Sequence, residues 1–185
     1  LVEARTVAGV TIALVIAACS PAPPEASHFP LDAGHRWVYD VKTEWENNIV
    51  EHEIRVIETL GRESIEGSAA WRRRSDSGVD YWLRSDESGL YRVAMKSDID
   101  AEPKPDSAKR YVLKAPLAVG TSWQSNTTAY LLHRRQEFPR EIRHTHPKVP
   151  MIYSIEAVGE SLNTRAGDFS DCLRVKGVAS LRLYA

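Results

Sequence analysis

Apolar and polar side chains alternate along much of the chain with a period of two residues. Between positions 37 and 45, aromatic and β-branched side chains occupy every second position, and mainly charged side chains stand between them. This spacing is typical of a strand with one buried face, because successive side chains of a strand point to opposite sides. Similar patterns predict further strands at residues 53–60, 69–75, 79–85 and 90–96.

Short polar segments separate these predicted strands and predict turns. They lie at residues 61–63, 76–78 and 86–89, and each contains glycine. Strands joined by turns at this spacing favour an antiparallel meander. Residues 99–107 carry two prolines among charged side chains and predict a loop. We therefore expect an all-β fold of one domain, with a curved antiparallel sheet shaped as a half-barrel or barrel and few or no helices.

A motif recurs in the two halves of the chain with identical spacing. Pro30-Leu31-x-x-Gly34-x-x-Trp37 returns as Pro116-Leu117-x-x-Gly120-x-x-Trp123. Glycine at the centre favours a turn with positive φ, and the tryptophan begins a strand. A second similarity, Ile-Glu-x-x-Gly, occurs at residues 57–61 and 155–159. We interpret the pair as two pseudo-repeats, at about 29–113 and 114–185.

The second pseudo-repeat differs from the first in length. Twenty positions separate Trp37 from Ile57, whereas 32 separate Trp123 from Ile155, which predicts about twelve extra residues. We place them in residues 134–148, a proline-interrupted segment with five basic and two acidic side chains. No counterpart of residues 81–91 follows in the second half, so we expect that pseudo-repeat to be truncated.

The first 28 residues have the pattern of an export signal and a tether. Residues 7–18 are mostly small and apolar, and they end in Ile16-Ala17-Ala18-Cys19. Twelve residues are too few to cross a bilayer core of about 30 Å as a helix, but they suit a signal peptide. The last four resemble the bacterial lipobox, whose cysteine receives diacylglycerol. We therefore expect a signal peptide at 1–18, a proline-rich tether at 19–28 and a β domain at 29–185.

Composition and charge exclude several protein classes. The chain has 185 residues, a net charge of −1, 43% hydrophobic residues and two cysteines. A disordered, collagen-like or disulfide-rich chain would depart from these values, and a nucleic-acid-binding domain would be more basic. If Cys19 carries a lipid, Cys172 has no internal disulfide partner. The alternating residues around Cys172 predict a buried structural thiol on a strand.

Three fragments resemble a family of uncharacterised bacterial lipoproteins with an all-β domain of unknown function. They are the proline-leucine-glycine-tryptophan motif that begins at Pro30, its copy that begins at Pro116, and Ala166-Gly167-x-Phe169-x-x-Cys172-Leu173-x-Val175. The resemblance implies an all-β fold and an envelope location. Ser20 after the lipidated cysteine resembles lipoproteins sorted to the outer membrane, facing the periplasm. The resemblance implies no catalytic residue.

The sequence contains no strong signal for catalysis or for a cofactor. His144 and His146 would share a face on a strand and His133 could join them, but a solvated loop is the favoured interpretation over a zinc site. Basic side chains are the better binding candidates. Residues 71–74 read Trp-Arg-Arg-Arg, with a solvated face as the favoured interpretation, and the long basic segment contains Arg134, Arg135, Arg140, Arg143, His144 and His146.

Three functions are compatible with these observations. The favoured one is a non-enzymatic envelope lipoprotein, held to the membrane by lipid on Cys19, that binds an apolar ligand or a protein partner on its sheet. The second is a structural or assembly factor of the envelope, which would display an exposed patch. The third is a hydrolase whose site is assembled from distant residues, which would need a cleft with a histidine or paired acids. Neither a metal nor a nucleic-acid partner is predicted.

Overall fold

The strands of the chain form two antiparallel sheets. The computed structural model describes residues 28–44, 48–127 and 149–180. Six strands curl into a half-barrel in the order of the chain: β1 (Arg36–Glu44), β2 (Val50–Ile65), β3 (Ser68–Ser75), β4 (Asp80–Asp86), β5 (Gly89–Lys96) and β6 (Lys104–Lys114). Three more form a small sheet: β7 (Ser122–Thr127), β8 (Val149–Thr164) and β9 (Gly167–Val178). The expectation of an all-β antiparallel fold is confirmed.

Two local expectations from the sequence are wrong. The turn predicted at residues 61–63 is absent, because β2 continues as a strand to Ile65 and turns at Glu66 and Gly67. Gly61 instead follows a bulge in the β2–β3 pairing, where its φ of 131° needs a glycine. The loop predicted at residues 99–107 ends early, since β6 begins at Lys104. Pro105 is tolerated there because β6 is an edge strand of its sheet.

The two copies of the glycine motif form the same turn. Gly34 and Gly120 have φ values of 81° and 91°. The N–H of Gly34 donates to the carbonyl of Thr59 at 2.7 Å, and the N–H of Gly120 donates to the carbonyl of Ile155 at 3.0 Å. Each partner donates in return, Thr59 to the carbonyl of His35 and Ile155 to that of Thr121. Each turn therefore fixes the register of the long strand that follows it.

These hydrogen bonds change how residues 57–61 align with residues 155–159, the two copies of the Ile-Glu-x-x-Gly pattern. Thr59, not Ile57, occupies the position of Ile155, and each is followed by a bulge. Gly34 and Thr59 are 25 positions apart, while Gly120 and Ile155 are 35 apart, so the insertion is ten residues rather than twelve. A shift of two residues leaves every side chain on its own face of a strand, so alternation alone could not distinguish the two alignments.

The faces of the six-stranded sheet are packed differently. On the outer face, Trp82 packs with Ile65, Ala70 and Ala94 in a small apolar cluster. The opposite face, called the inner face here, carries Trp37, Ile57, Thr59, Arg73 and Tyr81, as the cross-strand pairs show. Trp82 and Leu83 are consecutive and therefore point to opposite faces, where both are buried. A bulge at Val93 of β5 places Ala94 beside Trp82 and Arg92 beside Leu83. Within the described segments, no helix is long and apolar enough to span a membrane.

Candidate functional site

The residues that the sequence put forward for binding and lipidation lie outside the described residues. This holds for Cys19 and for the basic segment with Arg134, Arg135, Arg140, Arg143, His144 and His146. The described part of the chain has a different candidate site. It is an open cavity of about 310 Å³ where β3–β6 of the half-barrel meet β8 of the small sheet. Its lining consists of Arg73, Tyr81, Leu83, Arg92, Arg110, Tyr111, Val112 and Tyr153.

Strand register brings the cavity's arginines onto one face of the sheet, in neighbouring cross-strand rows. Arg73 on β3 faces Tyr81 on β4, Leu83 on β4 faces Arg92 on β5, and Arg92 faces Arg110 on β6. Directly opposed side chains in a sheet are neighbours on one face, with Cβ atoms about 5 Å apart. Three guanidinium groups from three strands therefore share one wall of the cavity.

Arg73 is buried, and none of the described acidic residues forms an ion pair with it. Only 5% of the residue is exposed, and its Nε and Nη2 atoms have no hydrogen-bond acceptor among the described residues. The guanidinium lies 4.7 Å from the ring centre of Phe29 and 5.9 Å from that of Trp37. Such cation–π contacts contribute about 0.5–2 kcal/mol, whereas a buried, unpaired charge costs several kcal/mol. The aromatic contacts therefore offset only part of the cost.

Two further buried polar atoms near Arg73 also lack partners. The indole Nε1 of Trp37 and the hydroxyl of Thr59 make no hydrogen bond with the described residues. Thr59 is the cross-strand neighbour of Arg73, and the Trp37 ring contacts the Arg73 guanidinium. Buried polar groups in folded proteins are nearly always paired, so such a cluster indicates either a missing partner or stored strain. All of these groups except the threonine hydroxyl act only as donors, which favours an acceptor as the partner.

Arg92 and Arg110 differ in their charge balance. Arg92 forms two hydrogen bonds with Asp106, from Nε at 2.7 Å and from Nη2 at 2.6 Å, so its charge is compensated. Arg110 makes no ion pair with the described residues. Burial, and next the positive charge of Arg92, hold the pKa of the Arg110 guanidinium below its ordinary value. Asp106 is hydrogen-bonded to Arg92 and attracts Arg110 only from a longer distance, so among the described residues neither Arg73 nor Arg110 has an ion-pair partner of its own.

The aromatic side of the cavity couples the two sheets. Tyr153 on β8 stacks on Trp123 with ring centres 5.6 Å apart, and the Trp123 indole donates to the carbonyl of Tyr111 at 3.2 Å. The Tyr153 ring also covers Gly177 of β9, where an added Cβ would lie 2.9 Å from the ring. The second glycine motif thus begins the strand whose tryptophan positions a wall of the cavity.

A second open cavity adjoins the first. It measures about 490 Å³ and shares Arg92 and Arg110 with its neighbour. Its lysines, Lys104 and Lys109, are already paired with Asp100 and Asp86. The hydrogen bond with Asp86 raises the pKa of Lys109. Its lysines are therefore compensated and a carboxylate, Asp106, also lines it, so the first cavity remains the better candidate for an anionic ligand.

Arginines on the outer face have a structural role. The carboxylate of Asp80, 2% exposed, accepts from Arg72 at 2.6 Å and from Arg74 at 2.7 and 2.9 Å. Burial alone would raise the pKa of Asp80, but these hydrogen bonds lower it below its ordinary value. The strand predicted at residues 69–75 is therefore confirmed, and it places Arg72 and Arg74 on one face and Arg73 on the other. The favoured interpretation of a solvated face is wrong for Arg73, because its side of β3 is covered by Phe29 and Trp37.

The charged and polar side chains that line the first cavity are arginines and tyrosines, which are not the acid–base groups of a hydrolase site. None of the described residues that line the first cavity is a histidine or a carboxylate, and no group of three metal-ligating side chains occurs in the described segments. Cys172 lies on β9 as predicted, but its thiol is half-buried instead of buried. The arrangement can hold a group by charge and hydrogen bonding; it offers no nucleophile with an adjacent base.

Comparison of the chain with protein-family models, with curated proteins and with solved structures finds no match. The site must therefore be judged by its own geometry.

Sequence reasoning missed the cavity arginines for a physical reason. Arg92 and Arg110 stand in ordinary strand patterns, and their meeting depends on long-range register. One local signal existed. Arg73 is two residues from Trp71, so the two side chains share one face of the predicted strand, and a tryptophan on a strand favours the buried face. A charged residue at an inward position of an amphipathic strand is the feature that would have singled it out.

Proposed function

We propose that this protein is a non-enzymatic lipoprotein of the bacterial envelope, anchored by lipid on Cys19, that binds a small ligand in the cavity between its two sheets. The anchor places the β domain at the periplasmic face of the outer membrane. Support for the anchor comes from Ile16-Ala17-Ala18-Cys19 after an apolar run, and from the tether of residues 19–28.

The open cavity with the buried, unpaired Arg73 carries the binding half of the proposal. A volume of about 310 Å³ is at the lower end of the range for small-molecule sites, which is about 300–1,000 Å³. It suits a small molecule or a lipid head group better than an acyl chain. The sequence favoured an apolar ligand or a protein partner, but a lining with three arginines favours a small ligand that has polar groups as well.

Native mass spectrometry tests this proposal. The full chain is purified from bacterial membranes in a non-ionic detergent, and we expect a bound mass that organic solvent releases. Val112→Trp adds a large side chain to the cavity wall without changing charge, so it should reduce the bound fraction at least tenfold. Ile99→Trp is the matched control, since Ile99 is 89% exposed and lines neither cavity.

Equal occupancy in wild type and the Val112→Trp variant would contradict binding in this cavity, provided that circular dichroism shows both variants folded. A chain that carries no bound mass in any preparation would contradict the binding proposal as a whole.

Exposed apolar side chains favour a second candidate, an assembly factor that acts through protein contacts. On the small sheet, Leu162 pairs with Phe169 and Ile152 pairs with Val178, and all four are about half exposed. Exposed apolar patches of this kind often mark protein interfaces. Crosslinking in the intact envelope from a photoreactive residue at position 169 would test this candidate. A single discrete crosslinked partner would support it, and absence of any product would contradict it.

A further inference from the structure

The charges and unpaired donors of the cavity point to the chemistry of its ligand. Arg73 has two buried guanidinium nitrogens without acceptors, and Trp37 and Thr59 beside it have one unpartnered polar atom each. Arg110, on the same face of the sheet, has no ion-pair partner among the described residues. Both arginines line the cavity, so a negatively charged group bound there would compensate both cations.

We propose that this cavity binds an oxyanion, meaning the phosphate or carboxylate group of a small molecule or head group, through Arg73 and Arg110. Guanidinium groups match both anions because their parallel N–H donors meet two oxygens at once. The rest of the ligand lies against Tyr81, Leu83 and Tyr153. The inference rests on the proposed binding function and specifies its ligand class.

Five other basic groups among the described residues are less suited to this task. Arg92 is occupied by Asp106 on two nitrogens, and Arg72 and Arg74 are occupied by Asp80. Lys104 and Lys109 are paired with Asp100 and Asp86. An anion at any of these positions would compete with an existing carboxylate. The described lining of the first cavity contains no carboxylate, and Asp106, the acid that acts on Arg110, is already hydrogen-bonded to Arg92.

Isothermal titration calorimetry tests the inference on the full chain in non-ionic detergent. The probes are sodium phosphate, sodium benzoate, and detergent micelles that contain phosphatidylglycerol. Binding of phosphate indicates a free phosphate ligand, binding of benzoate a carboxylate, and binding of the phosphatidylglycerol micelles alone a lipid head group. Each of these results supports an oxyanion site.

Two variants connect binding to the named side chains. Arg73→Met and Arg110→Gln should each weaken the binding of the responding probe at least tenfold, since each removes a charge-assisted contact. Arg36→Gln makes the same charge change at an exposed residue that lines neither cavity, so it should bind as the wild type does. Without ligand, Arg73→Met should unfold at the same temperature as wild type or higher, because it removes an unpaired buried charge.

Several results would overturn the inference. They are failure of all three probes to bind, equal weakening in the Arg36→Gln variant, or a lowered unfolding temperature of Arg73→Met together with unchanged binding in Arg110→Gln. The last would show that Arg73 only holds Phe29 and Trp37 in place. A neutral or cationic mass found by native mass spectrometry would contradict the oxyanion but leave the proposed binding function intact.

Discussion

Three consecutive arginines on β3 have three different environments. Arg72 and Arg74 point to the outer face and share the carboxylate of Asp80, whereas Arg73 points inward between Phe29, Trp37 and the cavity. Composition counts them as equal positive charges. Their roles differ because successive side chains of a strand point to opposite faces of the sheet. Among the described residues, Asp80 pairs with the two arginines on the outer face.

Asp80 should be among the most sensitive single residues. Asp80→Asn removes a buried charge that balances Arg72 and Arg74, and the amide cannot accept as many hydrogen bonds. Removal of one partner from a buried ion pair costs about 3–5 kcal/mol, and the partial exposure of Arg74 reduces this to about 2–3 kcal/mol. Urea denaturation at neutral pH measures the loss. Asp98→Asn at an exposed position should change stability by less than about 0.5 kcal/mol.

The same variant should show a defined pH dependence. The pKa of Asp80 is lower in the folded than in the unfolded protein, so its contribution is fully present above the unfolded pKa of about 3.9. It is lost as the pH falls from that value through the folded pKa. The stability difference between wild type and Asp80→Asn should therefore be constant from neutral pH to about pH 5 and decrease below about pH 4. A difference that already closes at pH 6 would contradict this assignment.

At the scale of the elements, the hairpins hold the cavity through their registers. Arg73, Arg92 and Arg110 come from β3, β5 and β6, and bulges in β4–β5 and β5–β6 adjust which side chains face inward. Leu83 meets Arg92 only because the pairing shifts after Trp82. A register change of one residue in β5 or β6 would move an arginine to the other face and remove it from the cavity.

Gly89 fixes one of these registers. It begins β5 at φ 125°, and an added Cβ would overlap the carbonyl oxygen of Leu113 on β6. We expect Gly89→Ala to lower stability by more than about 2 kcal/mol, because backbone strain adds to a steric clash that no side-chain rotation relieves. Thermal and urea denaturation would measure the change.

Gly78 provides the matched control for this substitution. Its φ is also positive, at 80°, but an added Cβ would meet only the Asp98 side chain at an ordinary 3.7 Å. Gly78→Ala should therefore lower stability by only about 1 kcal/mol, the cost of the backbone conformation alone. Equal losses in both variants would mean that the close approach of β6 to Gly89 contributes nothing.

For the whole molecule, the proposed anchor and the proposed ligand site use different parts of the chain. The lipobox-like motif and the proline-rich segment belong to the first 28 residues, whereas the cavity is built from β3–β6 and β8. If Cys19 carries lipid, a ligand site connected to it through a proline-rich segment would face molecules at the membrane surface. The anchor can therefore be tested without altering the β domain.

The two cysteines of the chain allow a matched test of lipidation. Cys19→Ala should abolish incorporation of radiolabelled palmitate, because the alanine cannot form the thioether that holds diacylglycerol. Cys172→Ala should retain the label fully, because Cys172 lies on β9 inside the folded domain. Label in the Cys19→Ala variant, or its absence from wild type, would contradict the lipoprotein assignment.

Local sequence patterns were sufficient to predict the fold class and much of the strand pattern. Alternation at positions 37–45 predicted β1, and the glycine motifs at Gly34 and Gly120 predicted two turns of the same kind. These are local signals, because side-chain alternation and a positive φ are set by a residue and its immediate neighbours.

The strand register, the ion-pair partners and the candidate site followed from contacts between residues that are distant in the chain. Alternation could not place Thr59 rather than Ile57 opposite the first turn, since both lie on one face. Nor could it show that Asp80 accepts hydrogen bonds from Arg72 and Arg74, while two nitrogens of Arg73 have no acceptor among the described residues. Pairing between strands depends on residues far apart in the chain, and burial raises the cost of an unpaired charge. The cavity arginines therefore became a candidate site only when the strands were assembled.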